Sequence, residues 1–164
     1  MIADHMRKLF AYNSWAWQHI FASITQLDPS DYHAPRQLFG ASSIHFILVH
    51  AMSAESIWLA RIQGESPTAL FDPAAYADFT AVHDQWRDII HNWANFVQWL
   101  NDTHCKANVS YQNTNGTPFT LRLSDLLQHV INHATEHRSQ ITPMLYQLGV
   151  PTRPLDYMRF QLKI

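Results

Sequence analysis

The chain has 164 residues, 47% of them apolar and 13% aromatic, enough to bury roughly two thirds of the unfolded surface as one domain spanning 1–164, so disorder is excluded. A formal charge of −2 without a basic cluster lacks the electrostatic footprint of a binder of nucleic acid or anionic membrane. The single cysteine, Cys105, excludes an intrachain disulfide and any CxxC motif; with no apolar h-region after Met1 and no run of membrane length, the expectation is a soluble, cytoplasmic protein.

Only four glycines interrupt long stretches of helical periodicity. The first predicted helix covers 4–26, with Met6, Leu9, Phe10, Asn13, Trp17, Ile20, Phe21 and Ile24 on one stripe, and Asp28 and Pro29 end it. A loop through Gly40 leads to Ser42 or Ser43, either a good N-cap for a helix over 43–62 whose stripe holds Ile47, His50, Ala54 and Ile57. Gly64 through Pro73 breaks the pattern. A third helix is predicted over 79–103, carrying Val82, Trp86, Ile89, Trp93, Phe96, Val97 and Leu100. Residues 105–123 lose the period, and Asn115-Gly116 between Val109–Tyr111 and Phe119–Leu121 reads as a short hairpin. Ser124 is expected to cap a fourth helix over 124–148, closed by Gly149, with Pro143 removing one backbone bond to Ser139 and bending it. A tail with Pro151 and Pro154 follows. The fold class is all-α: a four-helix bundle with a short hairpin between its third and fourth helices.

The fourth helix carries the chemistry. His129, His133 and His137 recur every four residues, a triple expected by chance about 0.05 times at this histidine content. Residues one turn apart share a face with Cβ atoms about 5–6 Å apart, so adjacent imidazoles can reach one ion at roughly 2.0–2.1 Å. His129 and His137, about 12 Å apart along the axis, cannot share one. At most one adjacent pair chelates. The stripe Leu127, Val130, Ala134, His137, Ile141, Leu145 and Leu148 places His137 among core positions, where an imidazole needs a partner for its ring nitrogens.

A bundle builds its sites from facing helices, so a third ligand is expected from another helix, and His50 is the best candidate. His45 points elsewhere, and His5, His19, His33, His83, His91 and His104 stand alone as surface or hydrogen-bonded residues. Other chemistries fit poorly. No Glu-x-x-His, nucleophile elbow or phosphate-cradling glycine loop occurs, and Cys105 has no activating context.

Several segments together resemble the DinB-like (DinB/YfiT) family of metalloenzymes. They are Leu9 to Trp17 around Tyr12-Asn13, Phe39 to Ile44 followed by His50 and Glu55 to Leu59, Leu126 to His133 with His137 to Ile141, and Met144 to Pro151. The resemblance covers nearly the whole chain and implies a four-helix bundle holding a metal on His50, His133 and His137, which selects His133–His137 over His129–His133. The chain departs from the family pattern at Glu136, often His in relatives, and at Ser139, often Gly; neither is a ligand position. Relatives include transferases and isomerases that use low-molecular-weight thiols.

The expected function is therefore a metal-dependent enzyme with one divalent ion, zinc or nickel, acting on a small-molecule substrate by thiol S-transfer or hydrolysis. Asn132, Gln140 and Glu55 are candidates to support the ligands, His129 and Tyr111 to line the site, and Arg138 to bind a substrate carboxylate or form a surface salt bridge. The alternative is a non-catalytic, metal-stabilised bundle acting through a partner. A homodimer is expected, with Trp15, Trp17 and Trp99 available for a dimer face.

Overall fold

The computed structural model describes residues 1–37 and 42–164; the Phe39-Gly40-Ala41 part of the family-like segment lies outside the described residues. Four long helices dominate: α1 (Ile2–Ile24), α3 (Ile44–Ile62), α4 (Phe79–Gln98) and α6 (Leu123–Gln147). Short helices α2 (Pro29–His33), α5 (Asp102–Lys106) and α7 (Tyr157–Leu162), a single 3-10 turn (Pro73–Ala75) and the antiparallel hairpin β1 (Asn108–Gln112) and β2 (Pro118–Arg122) complete the described elements. α1 and α3 each pack against both α4 and α6, so α1 and α3 sit diagonally across the bundle. None of the described helices is long and apolar enough to cross a membrane.

The apolar stripes meet at the centre. Trp17 of α1 packs on Trp86 of α4 with ring centroids 4.5 Å apart, and Phe10 packs on Trp93 at 4.6 Å. Leu48 and Met52 of α3 and Ile141, Met144 and Leu145 of α6 are fully enclosed. Each large apolar side chain buried in this way stabilises the fold by about 1.5–3 kcal/mol. Cys105 is enclosed too, and burial raises its thiol pKa, as expected for a structural cysteine.

Local signals fix most helix ends. Ser43 Oγ accepts from the Phe46 N–H at 3.1 Å and starts α3, as expected of one of the two serines. Asp78 Oδ1 accepts from Ala81 N–H at 2.9 Å and starts α4. The third helix is shorter than predicted, because Asn101 Oδ1 accepts from His104 N–H at 2.8 Å and opens a separate short helix. The predicted cap at Ser124 is corrected. α6 begins at Leu123 without a side-chain cap, and the Leu123 N–H instead donates to Ala107 O at 2.9 Å. The hairpin thus sets the helix start, with Gly116 at φ 80° in its turn. α6 continues through Pro143 to Gln147. The tail is not wholly irregular, since α7 folds back over α1: Tyr157 and Phe160 meet Tyr12 at 5.3 and 5.8 Å, and Tyr12 Oη donates to Leu155 O at 2.7 Å.

Candidate metal centre

α3 packs along α6, and this contact brings His50 to the pair His133–His137. One ring nitrogen from each lies within 4.8 Å of the other two, and all three side chains are half-buried. The Nε2 atoms of His133 and His137 are 3.1 Å apart. Two nitrogens on one tetrahedral ion at 2.0–2.1 Å are roughly 3.3 Å apart, so this pair is already at ligand spacing. The His50 ring centroid is 5.4 Å from that of His133 and 4.8 Å from that of His137. Among the described residues no other group of three or more His, Cys, Asp or Glu converges in this way.

The environment of His133 and His50 favours the neutral, ligating form. Burial, then the neighbouring His137, His50 and His129, push the His133 pKa down from 6.5 to about 4. Burial and His137 lower that of His50 against the opposing charge of Glu136. His137 Nδ1 is 2.7 Å from Gln140 Oε1. An amide oxygen can only accept, so it holds the proton on Nδ1 and leaves the Nε2 lone pair facing His133. Of the three candidate supporting residues, Gln140 fills the part.

The other two do not. Asn132 is exposed on the outside of α6, where its Oδ1 accepts from Gln128 Nε2 at 2.9 Å. Glu55, 2% exposed, faces the bundle centre, where Oε1 accepts from Asn13 Nδ2 and Trp17 Nε1, each at 3.0 Å. Arg138, expected at a substrate or on the surface, is 3% exposed; it donates to Asn13 Oδ1 and, at 2.9 Å, to Thr135 Oγ1. Its guanidinium lies 5.4 Å from the Trp17 ring and 5.5 Å from the Tyr12 ring. Arg138 therefore takes the core position assigned to His137, which flanks the stripe and is only half-buried. The Asn13–Glu55–Arg138 network was missed because its members look like isolated polar residues. Asn13, on the apolar stripe of α1, was the available signal.

His129 stays outside the trio. It is exposed, edge-on to Trp58 at 4.9 Å, with its ring 5.9 Å from that of His133. Tyr111 of β1 also meets Trp58 edge-on, at 5.1 Å, so the hairpin does flank this face. His45 is buried, its Nε2–H donating to Pro73 O at 3.0 Å and its Nδ1 lying 3.2 Å from the Tyr32 hydroxyl. A cavity of about 480 Å³ lies on another face, between α1 and α4, lined by Phe10, Ile90 and Trp93 with Glu55 at its inner side. It lacks the convergent histidines, and the chemistry places the candidate site between α3 and α6.

A family model described as the DinB family matches residues 1–163. Protein DinB of Bacillus subtilis (strain 168) is 29% identical over 166 residues, covering 95% of this chain and 93% of that protein. Among solved structures, YfiT from Bacillus subtilis, described as a probable metal-dependent hydrolase with an unusual four-helix bundle topology, superposes with a TM-score of 0.70 at 14% identity, covering 89% of each chain. A DinB-like protein from Bacillus cereus ATCC 10987 gives a TM-score of 0.63 at 16% identity, covering 87% of this chain and 94% of its own. The four-helix architecture, the converging histidines and a match over residues 1–163 agree: the chain belongs to the DinB family.

Proposed function

We propose that this chain is a metal-dependent enzyme that holds one divalent ion, zinc or nickel, on His50, His133 and His137 and carries out hydrolysis or thiol S-transfer on a small molecule. The single observation that carries this reading is the convergence of three histidine side chains with no carboxylate or cysteine in the group. Three histidines are the ligand number of catalytic rather than closed structural zinc sites. The description of YfiT as a probable metal-dependent hydrolase supports the same reaction class. Bound there, a divalent ion would supply Lewis acidity, lowering the pKa of a water or thiol presented to it.

The chain's own residues divide the remaining work. Gln140 keeps the His137 proton on Nδ1. The depressed pKa of His133 keeps it free of a competing proton at neutral pH. Glu136, exposed on α6, adds negative charge that opposes the lowering of the His50 and His129 pKa values. Trp58 and His129 wall one flank of the site.

A reaction panel of low-molecular-weight thiols with electrophiles, and of hydrolysable esters and amides, tests the reading with metal-loaded protein, chelated protein and His137→Ala. Turnover should require both the ion and His137. Metal-independent turnover, or none on any substrate, would favour a metal-stabilised bundle acting through a partner. We also propose a homodimer, supported by Trp99, which is 77% exposed, beside Leu59, Ile62 and Phe96. Trp15 is half-buried near Phe160 of α7, and Trp17 is enclosed in the core, so neither contributes to such a face. A 19.0 kDa particle in light scattering would count against the dimer.

A further inference from the structure

The face of α3 that carries His50 continues through Ala54 and Trp58 to Arg61, three turns on. Arg61 is 6% exposed, yet no acceptor among the described residues takes a hydrogen bond from it and no carboxylate pairs with it. Its Nε is sealed from solvent without a partner. The guanidinium carbon lies 4.8 Å from the Trp58 ring and 5.4 Å from that of Tyr111. The other enclosed arginine with aromatic neighbours, Arg138, gives N–H groups to both Asn13 and Thr135. Aromatic contacts attract a cation but accept no in-plane N–H group, and a sealed N–H without an acceptor, such as that of Nε, is costly.

Its position connects this cation to the histidines. Trp58, beside Arg61, meets the His129 ring at 4.9 Å, and His129 lies 5.9 Å from His133. A helical side chain leans toward its helix N-terminus, so the Arg61 fork is directed back along α3 toward His50. The Cα atoms of these two residues are separated by about 16 Å along the axis, and the arginine side chain spans part of that distance.

We propose that Arg61 is the anion-recognition end of the site and that its ligands are elongated small molecules carrying an oxyanion, carboxylate or phosphate. The group at one end of the ligand lies at His50, His133 and His137; the oxyanion at the other end takes the Arg61 fork, and the connecting part passes over Trp58 and His129. This rests on the metal reading above. A guanidinium fork matches a carboxylate or phosphate in its own plane, and neither aromatic neighbour uses its N–H groups. Neutral substrates of the same length forgo this interaction.

Calorimetry on zinc-loaded protein tests it with thiol-terminated carboxylates of roughly six to twelve carbons, a range that brackets the span, and with the matching terminal amides. At the best chain length the acid should bind about tenfold more tightly than the amide, the scale of a charge-assisted hydrogen bond. Arg61→Met should abolish the preference and Arg61→Lys should keep part of it. Equal binding of acid and amide to the wild type, or a preference that survives in Arg61→Met, would overturn the proposal. A second readout needs neither the metal nor that variant: the ¹⁵N resonance of the Arg61 Nε–H in metal-free wild type, followed during titration with acetate and then phosphate. Saturable movement with either supports the site and distinguishes its oxyanion; movement with neither overturns it. If zinc fails to bind while this resonance responds, the metal reading fails alone. If zinc binds and both Arg61 readouts stay flat, the anion site fails alone.

Discussion

Two polar clusters sit on adjoining faces of α6, and they solve the cost of burying polar groups differently. In the Asn13–Glu55–Arg138 network, Asn13 links the carboxylate to the guanidinium, and Trp17 donates to the same carboxylate oxygen as Asn13. Burial raises the Glu55 pKa, and Asn13, Trp17 and Arg138 oppose that shift. At His50, His133 and His137, by contrast, half-buried imidazoles crowd one another and bring one ring nitrogen from each within 4.8 Å of the other two. Mutual satisfaction suits a structural role, whereas unused lone pairs held close together suit a ligand from outside the chain. Polar burial alone does not identify a site; what the polar atoms leave unpaired does.

Substitutions should separate the two clusters cleanly. His133→Ala or His137→Ala should abolish stoichiometric binding of zinc or nickel in equilibrium dialysis. Chelation should leave the helical circular dichroism signal in place, because the enclosed core lies outside the histidine cluster. If the metal-free protein unfolds instead, the centre is structural and the contrast collapses.

Arg138→Met reverses the pattern. Removing one partner from a buried ionic network should lower stability by about 3–5 kcal/mol in urea denaturation, with a much smaller loss for His137→Ala in metal-free protein. Comparable losses at both positions would mean that the histidines belong to the structural network.

Gln140→Leu should weaken metal affinity by about 10–100-fold without changing its stoichiometry, as expected for loss of an orienting hydrogen bond. Gln140→Glu, which retains an acceptor for Nδ1–H, should bind more tightly than Gln140→Leu. Equal affinities in the two variants would remove Gln140 from the site.

The acid response gives a finer test. His133 is held at about 4 when folded against 6.5 when free, so the unfolded chain gains its proton first as pH falls. The corresponding stability is fully present above about 6.5 and declines as pH drops toward about 4, where the folded imidazole also protonates. Denaturation midpoints of metal-free wild type should fall through this window, and His133→Ala should show a shallower fall. The smallest effect is expected at His129, where substitution by Ala should leave metal binding nearly unchanged; loss of the ion there, with retention in His137→Ala, would move the pair by one turn.

Much of this was legible in the sequence because helical periodicity is local. Four-residue spacing alone put His133 beside His137, stripes of apolar residues predicted α1, α3, α4 and α6, and Asn115-Gly116 marked the hairpin. The choice of His133–His137 over His129–His133 came from family resemblance. Periodicity, however, fixes a helix face only to within about one position. It could not decide whether His137 or Arg138 turns inward, since the deciding acceptor, Asn13, is 125 residues away in sequence. The donors to Glu55 lie 42 and 38 residues away on α1. The start of α6 at Leu123, the return of α7 onto Tyr12 and the lack of an acceptor for Arg61 have the same origin. Sequence alone determined which residues share a helix face; tertiary packing decided which of them met a partner, because a buried polar atom is satisfied only by groups that distant segments bring to it.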